Sequence, residues 1–530
     1  NGTSLTYSYD DLNRLTNVVD RYANSTIFGY DAVGNMQSEL LPNGVTNIYT
    51  YDSLNRLTNL TSKTDIGTIA SFTYELNAAG TRTNLAETLD GASRNVAWSY
   101  DPLSRLTNEV LTGASPTGTI GYQYDVVGNR TSRSSTVSGV AAQSPSYNSD
   151  DELSSDNYDA NGSTTNSSGN SFAYDVENHL TNYNNGAATY IYDGDGDRVR
   201  KTVSGVTTYY LVDDNNPSGY AQVLEELSTV GSTPTRLYTY GLNLISQRQS
   251  GGTTSFYGYD GNGDTRFLTS SSGTISDTYT YDAFGDLISS IGSTPNNYLY
   301  TGEQYDPNLG FYYLRARYMN PVTGRFWTRD SVAGDTQDPL SLHKYLYAED
   351  NPVMGIDPSG HGFSSLQAAA VGRQVHQIIG LDFVSSVEGG ISGSSIAKIL
   401  RLSYKVQRLF PDLVDVPHKE VFEIKPITIA GTAQAAVQLG GYILALNEYD
   451  PTGGGWHVGN AADYTYTKPI ELADPPAIVV VFPPVFGIIY YKAETLQDFV
   501  KARAENVAEE ESADVEDSID LSTLTTVIAF

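Results

Sequence analysis

A Tyr-Asp pair that keeps returning with the same following phrase organises most of this chain. Tyr9-Asp10 opens YDDLNRLTN, Tyr51-Asp52 opens YDSLNRLTN and Tyr100-Asp101 opens YDPLSRLTN, while Tyr30-Asp31 and Tyr124-Asp125 open YDAVGNMQS and YDVVGNRTS. Later copies start at Tyr174, Tyr192, Tyr259 and Tyr281. Each unit reads as an alternating strand that ends in Tyr-Asp, a turn on Gly-Asn, Leu-Asn or Gly-Asp, and a returning strand such as RLTNVV. A lone hairpin is marginal in water, so the units are predicted to stack edge to edge into one long continuous sheet. The 40 Tyr against 16 Phe and 3 Trp, with 49 Gly, fit that pattern. A tyrosine ring covers neighbouring strands while its hydroxyl stays free to meet water or a polar lumen. The fold class is therefore mainly β over roughly the first two-thirds of the chain.

Composition narrows the chemistry. With no cysteine, disulfide frameworks, thiolate zinc sites and cysteine nucleophiles are excluded. A net charge of −30 argues against a surface that coats nucleic acid or anionic membrane throughout, although a local basic face is compatible with it. No window of about 18 apolar residues suggests a membrane-spanning helix. Repeat sequence is already recognisable at Tyr7, with no basic and apolar leader before it, so a fragment or a processed product is expected. Asp193, Asp195 and Asp197 open like a calcium loop, but Ser204 stands where the twelfth-position glutamate belongs. That stretch reads as one more repeat turn.

The repeat phrases resemble the Rhs, or YD-repeat, proteins. The resemblance implies a β-ribbon over residues 1–299 that spirals into a hollow shell around a C-terminal toxin. From Tyr300 the chain changes to YTGEQYDPNLGFYYLRARYMNPVTGRFWTRD and then LHKYLYAEDNPVMGIDPSG, which is similar to the segment that closes the shell in that family and marks residues 300–362 as a junction. Family members often cut themselves just after the DPxG phrase with an aspartate pair. Carried onto this sequence, the pair is Asp330 and Asp357, with Arg317 as the supporting base. Two carboxylates sharing a proton can activate water and protonate a leaving group, and a nearby arginine would hold one of them ionised. One departure stands out, because a large apolar residue usually follows DPxG and here the position is His361.

After Gly362 the repeats stop, and residues 363–530 are long enough for one compact α/β domain. Val421-Phe422-Glu423-Ile424-Lys425 alternates as a strand with Glu423 and Lys425 on one face. A hairpin turn around Pro417-His418-Lys419 would bring Asp412 and Asp415 beside it, so carboxylates and a lysine converge at a strand edge. Such a set suits Mg²⁺ or Mn²⁺, which prefers carboxylate and water oxygens, and suits metal-assisted phosphodiester hydrolysis. The stretch resembles the PD-(D/E)xK restriction-endonuclease-like superfamily, with Pro411-Asp412 as the PD and Glu423-Ile424-Lys425 as the ExK. The resemblance implies a small restriction-endonuclease-like nuclease domain. Asp412, Glu423 and Asp415 would be its metal ligands, Lys425 would position water, and Gln434 or Gln438 would come from the following helix. His376 occupies the first helix, where many members place a glutamate. The domain holds 21 acidic and 11 basic residues, yet Lys398, Arg401, Lys405 and Arg408 are spaced to form a stripe on one helix face that could grip phosphates.

These observations lead to the expectation of an encapsulated toxin, secreted or delivered into a target cell, with a DNase acting in the target cytoplasm. DNA, a cognate immunity protein and a secretion or delivery machinery would be its partners. Two alternatives remain open: a structural or adhesive repeat protein with an inactive nuclease-like plug, and an RNase toxin.

Overall fold

The computed structural model describes residues 5–362 except 11–13, 33, 215, 217, 219 and 335–338. Beyond them it describes strand segments at 364–365, 390–392, 413–415, 420–426, 457–458, 470–473, 476–481 and 488–494. The chain divides into two compact units, one formed by residues 1–373 with 428–430 and the other by residues 374–427 with 431–530.

In the first unit the repeats form antiparallel hairpins stacked strictly in chain order. They make two sheets where the sequence suggests one. Twelve strands run from Thr6–Tyr9 to Arg130–Ser135, and fourteen more run from Asn157–Tyr158 to Leu287–Ile291. The break falls in AAQSPSYNSDDELSS, which contributes isolated bridges such as Arg133 to Gln143 and Tyr147 to Leu153 in place of a full strand. Its Ser, Asn and Asp residues favour local turns over a ladder.

The turn explains the motif residue by residue. In the Tyr51 repeat, Asp52 Oδ1 accepts the main-chain N–H of Leu54 at 2.9 Å and of Arg56 at 3.0 Å, and Oδ2 accepts Arg56 Nε at 2.7 Å. Asp101 does the same with Leu103 and Arg105, and Asp125 with Val127 and Asn129. In the described repeats the fifth residue takes a left-handed backbone, at Asn55 (φ 56°), Ser104 (φ 63°) and Gly128 (φ 108°), a conformation that favours Asn or Gly. Asp193 holds the N–H groups of Asp195 and Asp197 in the same way, so DGDGD is a repeat turn.

The Thr after each turn has its own task. Tyr51 pairs with Leu57 and Thr50 with Asn59, so Thr58 is the extra residue of a β-bulge. Its hydroxyl donates to the Thr50 carbonyl at 3.1 Å, and Thr16, Thr107, Thr131 and Thr181 repeat this bond to Ser8, Ser99, Gln123 and Ala173. The leucine before it enters the core, as at Leu15, Leu106 and Leu180.

The tyrosine hydroxyls are not left to solvent. Tyr30 donates to the Leu15 carbonyl at 2.8 Å, Tyr51 to Met36 at 3.0 Å, Tyr124 to Leu106 at 2.7 Å, Tyr192 to Leu180 at 2.9 Å and Tyr281 to Thr265 at 2.8 Å. Each acceptor follows the turn of the preceding repeat. The Arg14 guanidinium lies 4.6 Å over the Tyr30 ring and Arg105 4.9 Å over Tyr124, so the same ring also covers the preceding turn's arginine.

The sheets share cores. Leu15, Val18, Phe28, Leu41 and Val45 of the first cluster with Ile245 and Phe256 of the second, and Phe267 and Phe284 of the second join Phe72, Leu106 and Ile120 of the first. Residues 300–362 add a four-stranded sheet, Gln304–Asp306, Phe311–Leu314, Arg317–Asn320 and Arg325–Phe326, which reaches into both. Tyr345 donates to the Gly162 carbonyl at 2.8 Å and Arg198 to the Tyr318 hydroxyl at 2.6 Å. Arg82 Nη1 binds the Val353 carbonyl at 3.3 Å.

In the second unit Glu420–Pro426 pairs antiparallel with Leu413–Asp415, placing Asp415 opposite Glu420, and parallel with Ile488–Glu494, placing Glu423 opposite Ile488 and Lys425 opposite Tyr490. The strand thus lies inside a seven-stranded mixed sheet.

Replacing Tyr124 by Phe removes one inter-repeat hydrogen bond and strands the Leu106 carbonyl, an expected loss of about 1 to 2 kcal/mol. Urea unfolding of the full chain measures it. An unchanged midpoint would show that the hydroxyl contributes nothing to repeat stacking.

Candidate functional site

Arg317, Asp330 and Asp357 come together although they belong to three separate segments. Arg317 opens the strand Arg317–Asn320, Asp330 follows Arg325–Phe326, and Asp357 follows Gly355–Ile356. Arg317 Nη2 lies 2.7 Å from Asp330 Oδ2 and 3.6 Å from Asp357 Oδ2, so the two carboxylates share one guanidinium nitrogen. The Phe326 ring supports the guanidinium from one face at 3.6 Å. Arg317 Nη1 donates to the Lys344 carbonyl at 3.1 Å, and Asp330 N–H donates to the same carbonyl at 2.9 Å, which fixes the arginine and the first aspartate to one turn.

The DPSG phrase wraps around this cluster. Asp357 Oδ1 accepts Ser359 Oγ at 3.0 Å and the main-chain N–H groups of Gly360 at 2.9 Å and His361 at 3.1 Å. Arg317 Nε donates to the Gly360 carbonyl oxygen. Gly360 has a left-handed backbone (φ 74°), and a Cβ there would lie 2.3 Å from the Leu314 carbonyl oxygen, so no larger residue fits. Arg315 Nη1 binds Glu303 Oε1 at 2.9 Å and the Pro358 carbonyl, holding the phrase from its other side. The Gly360–His361 peptide bond is thereby held with its oxygen on Arg317 and its nitrogen on Asp357.

The two carboxylates differ in burial. Burial raises the Asp357 carboxyl above its ordinary value, opposed by Arg317, Ser359 and the chain N–H groups it accepts. Burial lowers the Arg317 pKa from the usual arginine value, opposed by Asp330 and Asp357. The Asp330 side chain is the more open of the two aspartates, 13% exposed against 2% for Asp357.

Sequence reasoning singles out Arg317, Asp330 and Asp357 but passes over Arg315, Ser359 and Gly360. The RAR spacing and the final Gly of DPSG were the available signals. In the second unit Glu423 and Lys425 share one strand at positions of the same parity, whereas Asp415 on the paired strand is in register with Glu420, at the opposite parity to Glu423, so the backbone does not bring Asp415 and Glu423 to one face. Asp412, Gln434, Gln438, His376, Lys398, Arg401, Lys405 and Arg408 lie outside the described residues. Among the described residues no helix is long and apolar enough to cross a membrane.

A family model described as Teneurin YD-shell matches residues 45–353. The chain is 34% identical over 278 residues to the tRNA3(Ser)-specific nuclease WapA of Bacillus spizizenii and 33% identical over 277 residues to the tRNA nuclease WapA of Bacillus subtilis. Each match covers 49% of this chain and 12% of the relative, so the chain spans about an eighth of the length of these proteins. Among solved structures, TcdB2-TccC3 without its hypervariable C-terminal region matches with a TM-score of 0.53 and 18% identity, covering 68% of this chain and 21% of that one. A Photorhabdus luminescens Tc holotoxin pore matches with a TM-score of 0.53 and 17% identity, again covering 68% of this chain and 21% of that one. The likeness to these structures is one of fold.

A folded carboxyl whose pKa is raised contributes stability that is present below the ordinary value of 3.8 and is lost as pH rises through the folded value. In an Asp330→Asn background, which keeps the chain intact, the stability conferred by Asp357 relative to Asn at the same position should therefore fall as pH rises from 4 to 7. Urea midpoints at each pH test this, and a constant difference would remove the burial effect.

Proposed function

Because the chain belongs to the Teneurin YD-shell family, we propose that it is a YD-shell toxin whose C-terminal nuclease is released by cleavage at the Gly360–His361 bond. One observation supports the cleavage above all others. Two carboxylates share Arg317 Nη2 while Arg317 Nε holds the carbonyl of the bond itself.

Arg317 on the Gly360 oxygen stabilises the negative charge that develops there when water attacks. Asp330 takes a proton from that water as its oxygen bonds to the Gly360 carbon. Asp357, whose burial favours its protonated form, would carry that proton on Oδ2, since Oδ1 accepts the His361 N–H, and would pass it to the leaving nitrogen as the C–N bond breaks. The products are a Gly360 carboxylate and a His361 amine, and proton exchange between the aspartates restores the pair.

For the released domain, the nuclease names of the WapA relatives support phosphodiester hydrolysis. Glu423 and Asp412 of the PD phrase would supply the oxygen donors that Mg²⁺ or Mn²⁺ prefers, while Asp415 pairs with Glu420 and stands three register positions from Glu423. When bound, the metal would polarise phosphate and acidify a water. Lys425 would orient that water, Gln434 or Gln438 would assist near the metal, and the stripe from Lys398 to Arg408 would hold the nucleic acid backbone. DNA is the first reading of the substrate. Transfer RNA is the second reading, favoured by the relatives' names. The toxin would be delivered into a target cell by a secretion machinery and neutralised in the producer by an immunity protein.

Two measurements test these readings. The purified chain should run as two fragments on a denaturing gel, whereas Asp330→Asn and Asp357→Asn should run as one intact band; cleavage in both variants would refute the assignment. With Mg²⁺, the chain should cut plasmid DNA, and Glu423→Ala or Lys425→Ala should lower the rate at least 100-fold without unfolding, about 2.7 kcal/mol of barrier. Cutting of tRNA alone would select the second substrate, and no cutting of either would leave an inactive plug.

A further inference from the structure

His361 touches both carboxylates of the junction. Its Nδ1 stands 3.0 Å from Asp330 Oδ1, and its main-chain N–H donates to Asp357 Oδ1. Its side chain is 39% exposed, which makes it the outermost member of a cluster whose other side chains are at most 13% exposed.

The donors around Asp330 leave little room. Oδ1 accepts the Val332 N–H at 2.9 Å as well as His361 Nδ1, and Oδ2 faces Arg317 Nη2. A carboxylate oxygen has two lone pairs, so Val332 and His361 together occupy Oδ1. Both the Nδ1–H tautomer and the imidazolium can donate this bond.

We propose that His361 is a brake on hydrolysis of its own N-terminal peptide bond, because its Nδ1 takes the acceptor position on Asp330 at which the attacking water would be held. The inference rests on the self-cleaving reading of the junction. The imidazole is a positioning group and exchanges no atom in the reaction. Cutting would be paced by departure of the ring from Asp330.

The test follows self-cleavage of the full chain over time after cell-free synthesis, on denaturing gels. His361→Leu keeps a side chain of similar bulk but no donor, whereas His361→Asn keeps an N–H donor near the Nδ1 position. The Leu variant should cleave about tenfold faster than wild type, as for loss of one hydrogen bond to a charged group. The Asn variant should stay at the wild-type rate. A Leu variant no faster than wild type, with Asp330→Asn blocked, overturns the brake and leaves the aspartate reading standing. An Asn variant as fast as Leu also overturns it, because side-chain shape and not the hydrogen bond would then set the rate. Cleavage by Asp330→Asn, or an intact chain in every variant, overturns the aspartate reading and the brake with it.

Discussion

The hydrogen bond from each repeat tyrosine to the carbonyl beyond the previous repeat's turn makes a ribbon out of hairpins. A hairpin satisfies its own inner ladder, but its outer edge needs a neighbour at a fixed offset. The tyrosine supplies that offset, since its hydroxyl reaches one particular carbonyl at the far end of the adjoining strand, Leu15 for Tyr30 and Leu106 for Tyr124. Such a bond contributes about 1 kcal/mol. Repeated along two sheets, it also fixes where every bulge and turn falls.

Between the sheets the fixing groups are charged. Arg266 pairs with Asp260 on its own sheet and with Glu87 on the other, and Arg94 joins Glu87. Arg133 reaches Asp282 and Asp286 in the same manner. Burial raises the Asp282 carboxyl well above its ordinary value, while Arg266 and Arg94 overcome burial at Glu87 and lower its pKa. Buried pairs add little net stability because desolvation offsets their attraction. A slide of one sheet over the other by a residue would, however, strand several charges at once.

Much of this architecture was legible in the sequence. The repeat, the hairpin, the turn residues and the junction all follow from phrases that recur or abruptly stop. The destinations of side chains were less legible. A tyrosine hydroxyl can face solvent or a carbonyl with the same sequence around it, and the bulge role of Thr58 depends on a register that no local pattern states. The split into two sheets arises from a turn-rich stretch that resembles its neighbours in composition. At the junction, Arg317, Asp330 and Asp357 stand out in sequence only through resemblance. Arg315 and Gly360 are defined by the closeness of DPSG to the strand before it, a contact across some 43 residues. His361 was visible only as a departure, and its bond to Asp330 required the folded chain.

The junction's anchors are spread over the whole repeat region. Tyr345 rests on Gly162, Tyr318 on Arg198, Val353 on Arg82 and His343 on Asn129, so its partners come from both sheets and from chain positions up to 271 residues away. Closing loops of that length carries an entropic cost that is recovered only when the distant surface already exists. Hairpins, by contrast, can dock one after another on a finished edge. The segment that carries Arg317, Asp330 and Asp357 is thus seated on surfaces that only the two sheets together supply, so the geometry of the cluster depends on the whole repeat region and not on its own sequence alone.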